Sequence, residues 1–141
     1  MRKLTVAVTV DDKMGIAFNK RRQSRDKLLI EDLCKNTEGG IYVTSYSAPL
    51  FENFSDRIKI VDDPISDCPE GGCCFLELTE ISDHVNNISK LIIYRWNKVY
   101  PSDKKLVIDL NEYNLKLISS YDFTGKSHDK ISKEIYQQID I

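Results

Sequence analysis

The chain has 141 residues, 41% hydrophobic and 30% charged, which suits one buried core and leaves too little length for two domains with an interface between them. Twenty Lys and Arg against 22 Asp and Glu give a formal charge of −2, so no overall positive field draws the protein to nucleic acid or to an anionic membrane. No stretch approaches the length of a membrane span, and Met1-Arg2-Lys3 enters a strand-like run without an apolar signal region, so a cytoplasmic location is expected.

Leu4 to Val10 alternates Leu4, Val6, Val8 and Val10 with the small Thr5, Ala7 and Thr9, the pattern of a central strand covered on both faces. Asp11 to Arg22 is polar and fits neither a helical nor a strand period, so it reads as a long mobile loop. Ser24 is the expected N-cap of a helix carrying Leu28, Leu29 and Leu33, stopped by Asn36 and Gly39-Gly40. Asp26 then lies at the helix start. Ile41 to Thr44, Ile58 to Val61 and Cys74 to Leu78 are short β-prone runs, and Leu91 to Tyr94 reads as a strand buried on both sides.

Strands separated by crossovers predict a largely parallel sheet. The C-terminal part differs. Leu115, Leu117, Ser119, Tyr121 and Phe123 alternate with mostly polar residues, and Thr124-Gly125-Lys126-Ser127 is placed to turn the chain back into Lys130 to Tyr136 as an antiparallel pair. Ile131, Ile135 and Ile139 recur every four residues, so on periodicity alone a closing helix competes with a strand there.

Cys34, Cys68, Cys73 and Cys74 are expected as thiols in a reducing compartment. The Cys68 to Cys74 cluster is the one metal-like spacing. Without a paired motif or a histidine at finger spacing it reads as a Gly-rich turn leading a buried Cys74 into a strand. His84 and His128 are isolated among polar residues and are expected at the surface. Trp96 and Tyr100 are expected to pack against the core, and stacking of a planar ligand is the alternative. No Gly-x-Ser-x-Gly, Walker A or Gly-x-Gly-x-x-Gly motif occurs.

Leu4 to Asp11 followed by Gly15-Ile16 and Asn19, Asp26 at the next helix, Lys90 to Tyr94, then Tyr113 to Leu117 and a closing hairpin resemble the layout of the dihydrofolate reductase family over nearly the whole chain. The resemblance implies a single α/β domain over residues 1–141, with a mixed, mostly parallel central sheet, flanking helices and a C-terminal antiparallel hairpin. It favours strand over helix at Ile131. It places Asp26 near the family's substrate-binding acid, Arg57 near the arginine that grips the substrate's carboxylate, and Tyr94 where a threonine supports the acid.

The departures from the family fall at its cofactor contacts. Ser45-Tyr46-Ser47-Ala48 stands where the family has Gly-Arg-x-Thr, and Thr79-Glu80 stands where it has a Gly-Gly pair. A glycine pair lets a pyrophosphate approach main-chain N–H groups, and Glu80 adds bulk and negative charge. The resemblance therefore implies a protein that has lost or altered the reductase reaction, with a cleft between Asp26, Arg57 and Tyr94 for a small planar or anionic ligand. An NADPH-dependent reductase of a pterin-like substrate is the alternative, with Arg21, Arg22 or Arg25 taking over the phosphate contacts. A third reading is a protein-interaction module using the basic loop Lys20 to Lys27. Asp26 itself is either an acid with a raised pKa in an apolar pocket or a first-turn residue favoured by the helix dipole.

Overall fold

The computed structural model describes residues 3–139. Strand β1 (Leu4–Val10) is followed by β2 (Gly15–Phe18), β3 (Arg21–Arg22), helix α1 (Lys27–Lys35), β4 (Ile41–Val43) and a kinked 3₁₀ segment (Ala48–Arg57). Next come β5 (Ile58–Ile60), α2 (Pro64–Asp67), β6 (Cys73–Phe75), a second 3₁₀ segment (Ser82–Asn87), β7 (Ile88–Arg95), β8 (Lys104–Lys105), β9 (Leu115–Phe123) and β10 (Ile131–Gln138). The main sheet runs β5-β4-β6-β1-β7-β10-β9. Its first five strands are parallel, and β10 pairs antiparallel with both β7 and β9.

The alternation in β1 sorts its side chains onto two cores. Leu4, Val6, Val8 and Val10 join Cys74, Leu91 and Ile93 on one face. Ala7 joins Cys73, Ile92 and Tyr94 on the other, where Leu29, Ile30, Leu33 and Cys34 of α1 and Phe51 of the 3₁₀ segment cover them. Both faces of the central strands are therefore dry, which is why β1 and β7 carry so little polar alternation. Parallel pairing brings the carboxyl ends of β1, β4, β6 and β7 to one edge, and ligands of open parallel sheets bind outside that edge.

The segment expected as an irregular mobile loop after Asp11 is instead ordered into a second sheet, β3-β2-β8. Its hairpin turns on two residues, Asn19 and Lys20, whose φ values of 51° and 61° are both positive, the arrangement that matches the twist of a two-residue hairpin. Asp11 holds its base: its buried carboxylate accepts the N–H groups of Lys13, Gly15 and Tyr100 and the side-chain amide of Gln23. Burial alone would raise the Asp11 pKa, but these donors outweigh it and hold the pKa below the ordinary value.

Candidate functional site

Asp26, rather than Ser24, caps α1. Its backbone is extended and its Oδ1 accepts Leu28 N at 2.9 Å. The turn after β9 then folds over the same carboxylate. Lys126 N donates to Oδ1 at 2.8 Å, Ser127 N donates to Oδ2 at 2.9 Å, and His128 Nδ1 lies 2.8 Å from Oδ2. The turn approaches this closely because residue 125 is glycine. A Cβ there would run into the Asp26 carboxylate and lie 2.8 Å from Ile131 Cδ1. Burial pushes the Asp26 carboxyl upward, but the hydrogen bonds from Lys126, His128, Ser127 and Leu28 outweigh it and hold the pKa at about 2. The raised value that proton donation would need is thus reversed.

His128, expected at the surface, is 6% exposed and stacks on Trp96 with ring centroids 4.6 Å apart. His84 is half-buried. A carboxylate offers only acceptors, so Nδ1 of His128 is assigned the hydrogen, and Nε2 faces two hydroxyls, Ser24 Oγ at 2.9 Å and Tyr100 Oη at 3.3 Å. Trp96 packs in the core as expected, 2% exposed, and Tyr100 packs partly buried against the same cluster.

The other residues singled out in the sequence disperse. Arg57 donates to the carbonyls of Cys34, Thr37 and Gly39. It thus satisfies the carboxyl end of α1, about 13 Å along the helix from Asp26. The fully buried Tyr94 donates to Asp32 Oδ2 at 2.6 Å, not to Asp26. Asp32 also takes Tyr121 Oη at 2.9 Å and the buried Lys133 Nζ at 2.8 Å, so Tyr94 belongs to a closed polar cluster between sheet and helix. Neither Arg57 nor Tyr94 lines the cleft beside Asp26.

The basic residues divide between two clefts. Arg25, Lys27 and Lys126 line one of about 360 Å³ together with Asp26 and Glu52, over Ile30, Pro49 and Leu50. Arg21 and Arg22 border another of about 610 Å³ beside Tyr100 and Pro101. Arg22 is already committed. Its guanidinium pairs with both carboxylate oxygens of buried Glu77 at 2.7 and 3.0 Å, lies 4.4 Å over the Tyr46 ring and donates to the Tyr46 carbonyl. Ser47 Oγ donates to Glu77 Oε1 at 2.7 Å. Sequence reasoning missed Glu77, put His128 at the surface and saw in Ser47 only a lost phosphate contact, because nothing in their local spacing marks their partners.

All four cysteines are buried thiols outside any disulfide, and burial pushes the Cys73 thiol up to about 12. Among the described residues no group of three or more His, Cys, Asp or Glu is placed to hold a metal, and no helix is long and apolar enough to cross a membrane.

This arrangement of a parallel sheet with a terminal antiparallel hairpin defines a dihydrofolate-reductase-like fold. Among solved structures, a dihydrofolate reductase from Enterococcus faecalis, complexed with NADP(H) and RAB-propyl, superposes with a TM-score of 0.67 over 98% of this chain and 97% of that one, at 11% sequence identity. No protein-family profile matches the chain, and no curated protein matches it either.

Proposed function

We propose that this protein keeps the reductase-like scaffold without the reductase reaction, and binds a small anionic ligand with an apolar, planar part in the cleft between α1 and the Ala48–Arg57 segment. The observation that carries this reading is the Asp26 carboxylate, which accepts from Leu28, Lys126, Ser127 and His128 at once. A group held at about 2 is ionised throughout the neutral range and has no proton to give a bound substrate.

The residues at the carboxyl ends of β4 and β6 do not fit a dinucleotide phosphate. Ser47 donates its hydroxyl to Glu77, a carboxylate already paired with Arg22 of β3, and exposed Glu80 adds negative charge where an anion would have to lie. Around the cleft by α1, by contrast, the cations of Arg25, Lys27 and Lys126 outnumber the carboxylates of Asp26 and Glu52 over a floor of Ile30, Pro49 and Leu50, a combination suited to a carboxylate or phosphate carried on a flat apolar body.

Thermal-shift titration tests the reading, because a ligand of the folded state raises the melting temperature by mass action. Small aromatic carboxylates and phosphates are expected to stabilise the wild type and to lose that effect in Arg25→Glu/Lys126→Glu, while NADPH at millimolar concentration leaves the melting temperature unchanged. NADPH-dependent reduction of dihydrofolate, abolished by Asp26→Asn, overturns it.

A further inference from the structure

Ser24, His128 and Asp26 form a continuous hydrogen-bonded chain. Ser24 Oγ lies 2.9 Å from His128 Nε2, and His128 Nδ1 lies 2.8 Å from Asp26 Oδ2. We propose that Ser24 is a nucleophile toward carboxylic esters, with His128 as its general base and Asp26 as the residue that orients the imidazole.

Each member stands as that chemistry requires. Asp26 is buried and held by three backbone N–H groups, so it stays a carboxylate and fixes the hydrogen on Nδ1. Stacking on Trp96 keeps the ring from rotating, which leaves the Nε2 lone pair aimed at the Ser24 hydroxyl. A nucleophile and base within hydrogen-bond reach, with the base oriented by a third group, is recognised by geometry and not by order in the chain.

Ser24 is half-buried. With Trp96 and Glu77 it lines a recess of about 10 Å³, the room of a single water. That recess shares Arg25, Asp26, Ile30 and Leu50 with the 360 Å³ cleft. An ester reaches Ser24 Oγ when the Arg25 and Leu50 side chains that border both spaces move apart, and its remainder then lies in the cleft lined by Arg25, Lys27 and Lys126. The preference for an anionic ester rests on the ligand reading above; the reactivity of Ser24 does not.

The step balances with water as the second reactant. The Ser24 Oγ–H proton passes to Nε2 as the Oγ–C bond forms and the carbonyl π pair moves onto oxygen. Collapse of that tetrahedral species expels the alcohol, which takes the proton from Nε2. Water then adds to the acyl-serine with His128 again as base, releasing the acid and free Ser24. The Tyr100 hydroxyl, 3.3 Å from the same Nε2, is assigned as a donor to the developing oxyanion.

Two measurements on the full chain test this, with uncharged reagents so that failure of the anionic cleft does not mask the result. Diisopropyl fluorophosphate is expected to phosphorylate Ser24, located by peptide mass spectrometry, with labelling slowed at least tenfold in Tyr100→Phe. In Ser24→Cys, coupling to His128 favours a thiolate–imidazolium pair, so iodoacetamide at pH 6 is expected to alkylate residue 24 at least tenfold faster than an exposed cysteine peptide. The four native thiols, all buried, supply little background. Either an unmodified Ser24 in the folded wild type or, in Ser24→Cys, an introduced thiol that reacts like an ordinary one overturns the proposal. Loss of the thermal shift with anionic ligands, while Ser24 still labels, overturns only the ligand reading.

Discussion

His128 reaches back across 102 residues of chain to place Nδ1 2.8 Å from Asp26 Oδ2. That bond ties the turn between β9 and β10 to the N-terminus of α1 and closes over the acid at the sheet's carboxyl edge. The same carboxylate caps the helix, so one side chain serves helix, turn and site together.

The first prediction follows from the Asp26 pKa. Held at about 2 in the folded protein, against an ordinary value of 3.8, the carboxylate contributes stability that is fully present above about pH 4 and is lost as pH falls through about 2, worth roughly 2 kcal/mol. Asp26→Asn is expected to cost about 2–4 kcal/mol near neutral pH. Urea denaturation of both proteins from pH 7 to pH 2 should show the gap narrowing below pH 4, and a gap constant over that range counts against the account.

Gly125→Ala is expected to destabilise by about 1–3 kcal/mol, because the new methyl overpacks a buried contact with Asp26 and Ile131. In an Asp26→Ala background the cost should shrink, since the carboxylate it strikes is gone. Additive penalties in that double-mutant cycle would show the turn to be independent of the acid.

Removing one partner of the Arg22–Glu77 pair is expected to have unequal effects. The Glu77 side chain is 3% exposed and that of Arg22 is 20% exposed, so Arg22→Ala strands a buried carboxylate and costs about 3–5 kcal/mol. Glu77→Gln, which leaves the cation partly in water and keeps an acceptor for Ser47, should cost no more than about half as much. Equal midpoints for the two variants in guanidinium denaturation would contradict the burial argument.

The Asp32 cluster is expected to show the same asymmetry from the other sign of charge. Asp32→Ala strands the Lys133 ammonium, whose side chain is 2% exposed, at a cost of about 3–5 kcal/mol. Lys133→Met leaves Asp32 the hydroxyls of Tyr94 and Tyr121 and should cost about 1–2 kcal/mol. Calorimetric melting that ranks Lys133→Met as the worse variant would overturn this ordering.

Periodicity located the elements whose burial is simplest. β1 spans Leu4–Val10 as the alternation predicts, and Leu91 to Tyr94 lies within β7. At Ile131 the four-residue spacing was ambiguous for a physical reason: residues i and i+4 share a face of a helix and of a strand alike. Pairing with β7 on one side and β9 on the other settles that segment as β10. The hairpin around Asn19 and Lys20 went unread because lysine rarely takes the left-handed conformation that the second turn position needs here.

The sequence by itself determined the two-faced central strands and the amphipathic α1, because apolar spacing records which side of an element is dry, and that is a local property. Only the tertiary structure decided what the polar residues do. The partners of Asp26, Arg57, Glu77 and Tyr94 lie anywhere from 2 to 102 positions away along the chain. A hydrogen bond depends on atoms within about 3 Å in space, and no local spacing in the sequence encodes that distance.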